Sequence, residues 1–545
     1  MEGVALLTKR AILAAALAGA ALAAPASDAA VQACPADLSA WKNALGAEWI
    51  DCHRVADLTT TGNPYIDTGS LTGSGFPPPG SGTLNSHYSN PTAPPVAGIQ
   101  IDGYFADACN AYQSEPLLVA RDATPFIPGC TPPPTLQQTC FSQCHHDAQF
   151  VIRIPDSWNG RLLTAGTPGI RDAFASDFVF SDYVLEKAWA YVSQDKGNMG
   201  ANFFRGGTDE TDSTGTPWEP GAAIAEWTFR MRQATRATRS LLNLLAPQYG
   251  IAGVTRSYAA GVSNGGYQTR RAIETDFRYD RLYDGGVDWE GTLFLPELPR
   301  YVTPAQPTTG FNLFTYLPTA LLNYPGDVLG LPPSVAALAA VGFNPQSQPL
   351  WNYHWAIYWG LTQKIYRLEF DPEYTGYTCS DPLGVGPSCV APAALAVPPT
   401  DPDALYNYAA RVEQNPAILA RLQEVANTGN LQRPLITLHG DQDSLLPIAT
   451  DSDLYVQLVA HARKSSRHRY YVVQGGNHVD PQFDDHYGVD SYGDTVLRPM
   501  LPCVRAAIDA IAAWVENGVA PPPNHAIARP QGASAADLAN RCSLQ

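Results

Sequence analysis

The sequence predicts an α/β fold: a mainly parallel sheet flanked by helices, with one large, mainly helical insertion. Three observations lead there. Short apolar runs bounded by turn residues alternate with helical stretches, the pattern of strands joined by covering helices. The alternation stops between Thr292 and Gln432 and then resumes. One long amphipathic stretch places Ile224, Trp227, Met231, Ala234, Thr238, Leu241 and Leu245 three or four residues apart, a single stripe suited to lie on a sheet.

In chain order, residues 1–23 read as an export signal. Lys9 and Arg10 form the positive flank, Ala11 to Leu22 the apolar run, and Ala21 to Ala23 a small-residue cleavage site. Residues 24–98 are rich in turn formers ("TGSGFPPPGSGTLNSHYSNPTAPP") and are expected to be an irregular extension tied down by disulfides. All ten cysteines lie beyond the signal, which suits disulfides in a secreted or periplasmic protein. Cys379 with Cys389 is the best local pair. "CFSQCHHD", Cys140 to Asp147, contains zinc-ligand types but no second ligand pair, so disulfide use is preferred there.

Residues 99–291 and 433–545 carry the core. "GIQIDGYFA", "QFVIRIPD", "RLLTAG", "WAYVSQD", "RSYAAGVS", "LYDGGVDWE", "PLITLHG" and "HRYYVVQGG" read as strands, and "VRAAIDAIAAWVENG" as a closing helix. Residues 292–432 form the insertion, an aromatic-rich cap in which Trp351, Tyr353, Trp355, Tyr358, Trp359 and Tyr366 crowd together. The net charge of -17 disfavours nucleic acid or an anionic membrane as partner, since both repel an acidic surface.

The chemistry centres on "GVSNGG". Ser263 stands between a strand and a helix, flanked at two residues by Gly261 and Gly265, as a nucleophile on a sharp turn requires. The glycines spare the turn its clashes, and the helix start offers the Asn264 amide to a developing oxyanion. A serine hydroxyl needs a base, and the base an acid to orient it. "LHGDQDSLLP" presents Asp443 as the acid, with Asp441 as the alternative, and "QGGNHVD" presents His478 as the base. The second oxyanion donor is expected in the loop after "RLLTAG", at Thr167 or else Gly169, because Pro168 has no N–H. Asp195 and Lys196 near the same edge are expected to form a surface ion pair.

These residues resemble the α/β-hydrolase superfamily, and within it exported esterases. "GVSNGG", "LHGDQDSLLP", "RYYVVQGGNHVD" and "GVAPPPNHAIARPQG" resemble 3-hydroxybutyrate oligomer hydrolases. "IPDSWNGRLL", "SNGGYQTRRAIETDFRYDRLYDGG" and "WVENGVAP" are similar to the tannase and feruloyl esterase family. That family joins the residue before its nucleophile to the residue after its histidine by a disulfide. Here these positions are Val262 and Val479, which tilts the reading toward the oligomer hydrolases. The resemblance implies an α/β-hydrolase fold and hydrolysis of a small or oligomeric carboxylic ester through an acyl-enzyme, with no metal or organic cofactor. A tannase-type aromatic esterase, a peptidase and a non-catalytic binding protein on the same scaffold are the alternatives.

Overall fold

A computed structural model describes residues 33–66, 94–105, 148–169, 173–196, 222–297, 300–301, 313–324, 334–355, 359–371, 373–374, 406–480, 495–532, 538 and 542–545. The export signal, the Cys379–Cys389 pair and the Cys140–Asp147 cluster lie outside these residues.

Among the described residues ten strands form one sheet: β1 (Trp49–Val55), β2 (Gly98–Tyr104), β3 (Gln149–Pro155), β4 (Arg161–Gly166), β5 (Ala190–Gln194), β6 (Arg256–Val262), β7 (Gly285–Trp289), β8 (Leu435–Gly440), β9 (His468–Val473) and β10 (His525–Ile527). Their spatial order is β1-β2-β3-β5-β4-β6-β7-β8-β9-β10. Pairing is antiparallel from β1 through β3 to β5, and parallel from β5 onward to β10. This mixed order with covering helices is the α/β-hydrolase fold. Every residue of β7 and β8 is buried, and of β6 all but the first, as parallel strands covered on both faces require.

Helices α1 (Ser39–Leu45), α2 (Asp182–Glu186), α3 (Ala222–Leu245), α4 (Asn264–Glu274), α11 (Ser452–His461) and α12 (Leu501–Asn517) belong to the sheet-bearing part. The stripe expected from the sequence is the buried face of α3, where Ile224, Trp227, Met231, Leu241 and Leu245 are inside while Phe229 and Leu244 are exposed. Among the described residues six helices lie between β7 and β8: α5 (Leu313–Asn323), α6 (Val335–Ala340), α7 (Gln348–His354), α8 (Gly360–Phe370), α9 (Tyr408–Gln414) and α10 (Ala417–Val425). They share one apolar core that includes Trp351, Trp359, Tyr366 and Phe370, and that also takes in Trp227 of α3 and Tyr267 of α4. This helical insertion, the segment expected to be a cap, is thus packed onto the sheet-bearing part through its own core.

The stretch read as an irregular extension contributes α1 and β1. β1 pairs with β2 over its whole length, from Trp49 opposite Tyr104 to Val55 opposite Gly98. Cys34 and Cys52 form a disulfide that ties the segment before α1 to this strand. A second disulfide, Cys503–Cys542, fastens the C-terminal segment to α12. No helix among the described residues is long and apolar enough to cross a membrane.

Candidate active site

Strands β6 to β9 run parallel, so the turns after them line one edge of the sheet. Ser263 is the first residue beyond β6 and immediately precedes α4. Its φ is 59°, in the left-handed region that costs a side-chain-bearing residue about 1–2 kcal/mol. Three backbone bonds hold it there: its N–H donates to the Trp289 carbonyl at 2.9 Å, and its carbonyl accepts from Tyr267 N at 3.0 Å and Thr292 N at 3.4 Å. The hydroxyl does not cap the helix.

The turn closes because three glycines meet. A Cβ on Gly261 would lie 2.2 Å from the Gly265 carbonyl oxygen, and one on Gly265 would lie 2.2 Å from that of Gly166. Gly261 and Gly265 were legible from the motif; Gly166, at the end of β4, becomes visible only once β4 and α4 are neighbours. The same approach brings the Thr167 backbone against the start of α4. Thr167 is buried, and its carbonyl accepts from Gln268 Nε2 at 2.8 Å. Its hydroxyl bonds the Gln194 carbonyl and accepts from Gln194 Nε2, which also reaches Gln268 Oε1 at 2.9 Å. Two glutamines, on β5 and α4, therefore fix the Thr167 loop against the turn.

Asp195 and Lys196 are not at the surface. Both are buried: Asp195 accepts from Gln149 N at 2.9 Å, and the Lys196 ammonium sits 4.3 Å from the Trp227 ring centre. They anchor β3 and α3 beside the Thr167 loop rather than pairing in solvent.

Asp443 follows β8 and His478 follows β9, and His478 Nδ1 lies 2.8 Å from Asp443 Oδ2. Asp443 Oδ1 accepts from the Leu445 and Leu446 amides, which fixes the carboxylate plane. Burial by itself would raise this carboxyl, but His478 and His439 outweigh it and hold Asp443 far below the usual carboxylate range. Asp441 does something else: its Oδ1 accepts from Gly475 N at 2.7 Å and buttresses the turn after β9. His439 bonds Ser452 and the Leu446 carbonyl inside the core.

The cap reaches these loops directly. Tyr366 donates to Asn264 Oδ1 at 2.6 Å, Trp359 Nε1 to the Ser444 carbonyl at 2.9 Å, and Asn344 Nδ2 to the Asp441 carbonyl at 2.7 Å. His354, at the end of α7, is buried close enough to the pair to sense it. Burial, opposed by the Asp443 charge and helped by His478, lowers its pKa to about 3. Sequence reasoning missed Tyr366, His354 and Glu290 as neighbours of these residues. Only Glu290 left a signal, an acidic residue ending the strand "GGVDWE" at the edge where the other site residues lie.

The loops after β8 and β9 thus carry an Asp443-bound His478, and the turn after β6 carries a serine at positive φ. The model of the 3HB-oligomer hydrolase family matches residues 378–542, less than half of the chain, including Asp443 and His478 but not Ser263. A D-(-)-3-hydroxybutyrate oligomer hydrolase of Ralstonia nicotianae is 31% identical over 121 residues, 22% of this chain and 16% of that protein. One from Cupriavidus metallidurans is 32% identical over 127 residues, 23% of this chain and 17% of the relative. The matches thus span about a sixth of these relatives' length. Among solved structures, feruloyl esterase B from Aspergillus oryzae aligns with TM-score 0.42 and 13% identity over 87% of this chain and 88% of that one. Tannin acyl hydrolase from Aspergillus niger aligns with TM-score 0.40 and 14% identity over 87% and 83%.

Proposed function

We propose that this protein is an exported serine carboxylic-ester hydrolase acting on hydroxyalkanoate oligomers of the 3-hydroxybutyrate type. The observation that carries the reading is the 2.8 Å bond from His478 to Asp443 on the sheet edge where Ser263 is held at positive φ. In this reading His478 takes the Ser263 proton as Oγ attacks the ester carbonyl, and Asp443 keeps Nδ1 protonated so that Nε2 is free to accept. The amides of Asn264 and Thr167 stabilise the oxyanion; both belong to segments fixed before substrate arrives, which is what makes such donors effective. His478 then protonates the leaving alcohol and activates water to release the acyl group.

The substrate class leans on the activity of the D-(-)-3-hydroxybutyrate oligomer hydrolases it resembles and on Val262 and Val479, which occupy the positions where tannase-type enzymes carry a disulfide. Export is supported by Cys34–Cys52 and Cys503–Cys542, since disulfides persist in oxidising compartments. The test is a rate comparison across hydroxybutyrate trimer, methyl ferulate, methyl gallate and simple alkyl esters. The trimer should be preferred, and Ser263→Ala should lower that rate by about 10⁴-fold or more. A preference for methyl gallate or ferulate would move the substrate class to aromatic esters. Full activity in Ser263→Ala would remove the mechanism.

A further inference from the structure

A second carboxyl stands behind His478. Glu290 is the first residue beyond β7, buried, and held at φ 50°, so it shares with Ser263 the left-handed backbone that a side-chain-bearing residue rarely adopts. Its N–H donates to the Leu438 carbonyl at 2.9 Å and its Oε1 accepts from Gly440 N at 2.7 Å, so the side chain is locked to β8 at the root of the Asp443 loop. Its other oxygen, Oε2, is buried, accepts no hydrogen bond and lies 3.5 Å from His478 Nδ1. One ligand-type atom from each of Glu290, Asp443 and His478 falls within 4.8 Å of the others. Two carboxylates so close inside a core cannot both stay ionised, and one of them must hold a proton.

We propose that Glu290 is a positioning residue and a reserve acid: Oε2 carries a proton donated toward Asp443, and when Asp443 loses its charge the Glu290 carboxylate takes over the hold on His478 Nδ1. The assignment of the proton follows from the partners. Asp443 has the imidazole on Oδ2 and two amides on Oδ1, all stabilising its charge, whereas Glu290 has a single amide. Burial, and after it the neighbouring Asp443 charge, push the Glu290 carboxyl well above its ordinary range. The ionisable groups around the pair are His439 from β8, His478 and Asp480 from the loop after β9, and His354 and Tyr316 from the cap. Asp480 adds to the repulsion that keeps Glu290 neutral.

The inference rests on the serine-esterase reading for its kinetics, but not for the proton itself. Glu290→Gln copies a neutral carboxylic acid, with one acceptor for Gly440 and a donor for Asp443, and should keep kcat/KM within about threefold. Asp443→Asn retains the acceptor for Leu445 and Leu446 while removing the charge. It should lose about 10²-fold rather than the roughly 10⁴-fold expected when an orienting acid is lost outright. Its residual rate should rise with pH through an ionisation that the double variant lacks, and the double variant should fall the full distance. Equal residual rates in Asp443→Asn and the double variant would overturn the proposal, as would a Glu290→Gln loss as deep as that of His478→Ala. Independently of any activity, the infrared difference between wild type and Glu290→Gln at neutral pH should contain the carbonyl band of a protonated carboxylic acid. A carboxylate band in its place would overturn the proposal even if the esterase reading stands. If the wild type hydrolyses no ester, that reading fails and the infrared difference still decides the proton.

Discussion

The Tyr366 hydroxyl donates to the Asn264 side chain across 2.6 Å, so the cap is bonded to the residue that directly follows Ser263. Asn264 Oδ1 also accepts from Thr292 Oγ1 at 3.2 Å, which places the start of α4 between the cap and the turn after β7. The insertion bonded there steadies the amide proposed to meet the oxyanion. Tyr366→Phe removes the bond and leaves Thr292 in place. It should cost about 1 kcal/mol of stability and lower kcat/KM about fivefold. Urea titration and kinetics check the two effects separately; lost stability with unchanged kcat/KM would make the contact purely structural.

Arg153 tests how the antiparallel side of the sheet is held. Fully buried on β3, it donates to Asp177 Oδ2 at 2.7 Å, Ser181 Oγ at 3.0 Å and Gln100 Oε1 at 2.9 Å. Arg153→Met strands the equally buried Asp177 and should cost about 3–5 kcal/mol. Arg153→Met with Asp177→Asn should recover part of that in urea unfolding, because the charge left behind, rather than the missing bond, is the larger cost. A double variant no better than the single would contradict this.

His468 should make the protein acid-sensitive. It opens β9, with Nε2 3.0 Å from Thr437 Oγ1. Burial, then Arg270 and Arg469, pull its pKa down to about 3. The unfolded chain therefore binds a proton near pH 6.5 that the folded chain refuses until about 3. Stability is fully present above the higher value and falls as pH drops through the window, by at most about 1.4 kcal/mol per pH unit. Asp102 acts in the opposite direction: burial raises its carboxyl to about 7, so its contribution declines as pH rises toward that value. His468→Gln keeps a donor for Thr437 and removes the titration. Its stability relative to wild type should improve steadily from pH 6.5 to 4.5; a pH-independent difference would mean that the folded protein protonates His468 normally.

What the sequence carried was whatever depends on neighbours along the chain. Ser263 between strand and helix, with Asp443 and His478 each a few residues past later strands, needs only the alternation of elements and the order of three residue types. β6 to β9 were readable for the same reason, since buried parallel strands are continuous apolar runs. β1 was not, because Cys52, His53 and Arg54 interrupt its apolar pattern and its place is fixed by pairing with β2. β10 is only three residues long and is defined by β9 beside it. Glu290 and Tyr366 acquire meaning from contacts across strands and from the cap, which no local spacing encodes. Lys196 misled because lysine is seldom buried, yet the Trp227 face and the Gly169 carbonyl receive it.

Gly166 offers the most direct test of whether the Thr167 loop supplies an oxyanion donor. A Cβ there would lie 2.4 Å from the Gly265 carbonyl oxygen and 2.9 Å from its carbonyl carbon, both backbone atoms at the start of α4. Neither can swing aside as a side-chain tip can, so β4 and α4 must separate. The separation moves the Thr167 amide away from the Asn264 amide, and a misplacement of about 1 Å in a catalytic geometry costs about 10²-fold. Gly166→Ala should therefore lower kcat far more than it raises KM, since the oxyanion donors act on the transition state. The far-ultraviolet circular dichroism should stay that of the wild type, because the strand itself accepts alanine. Wild-type kcat in Gly166→Ala would mean that Thr167 does not supply the second donor.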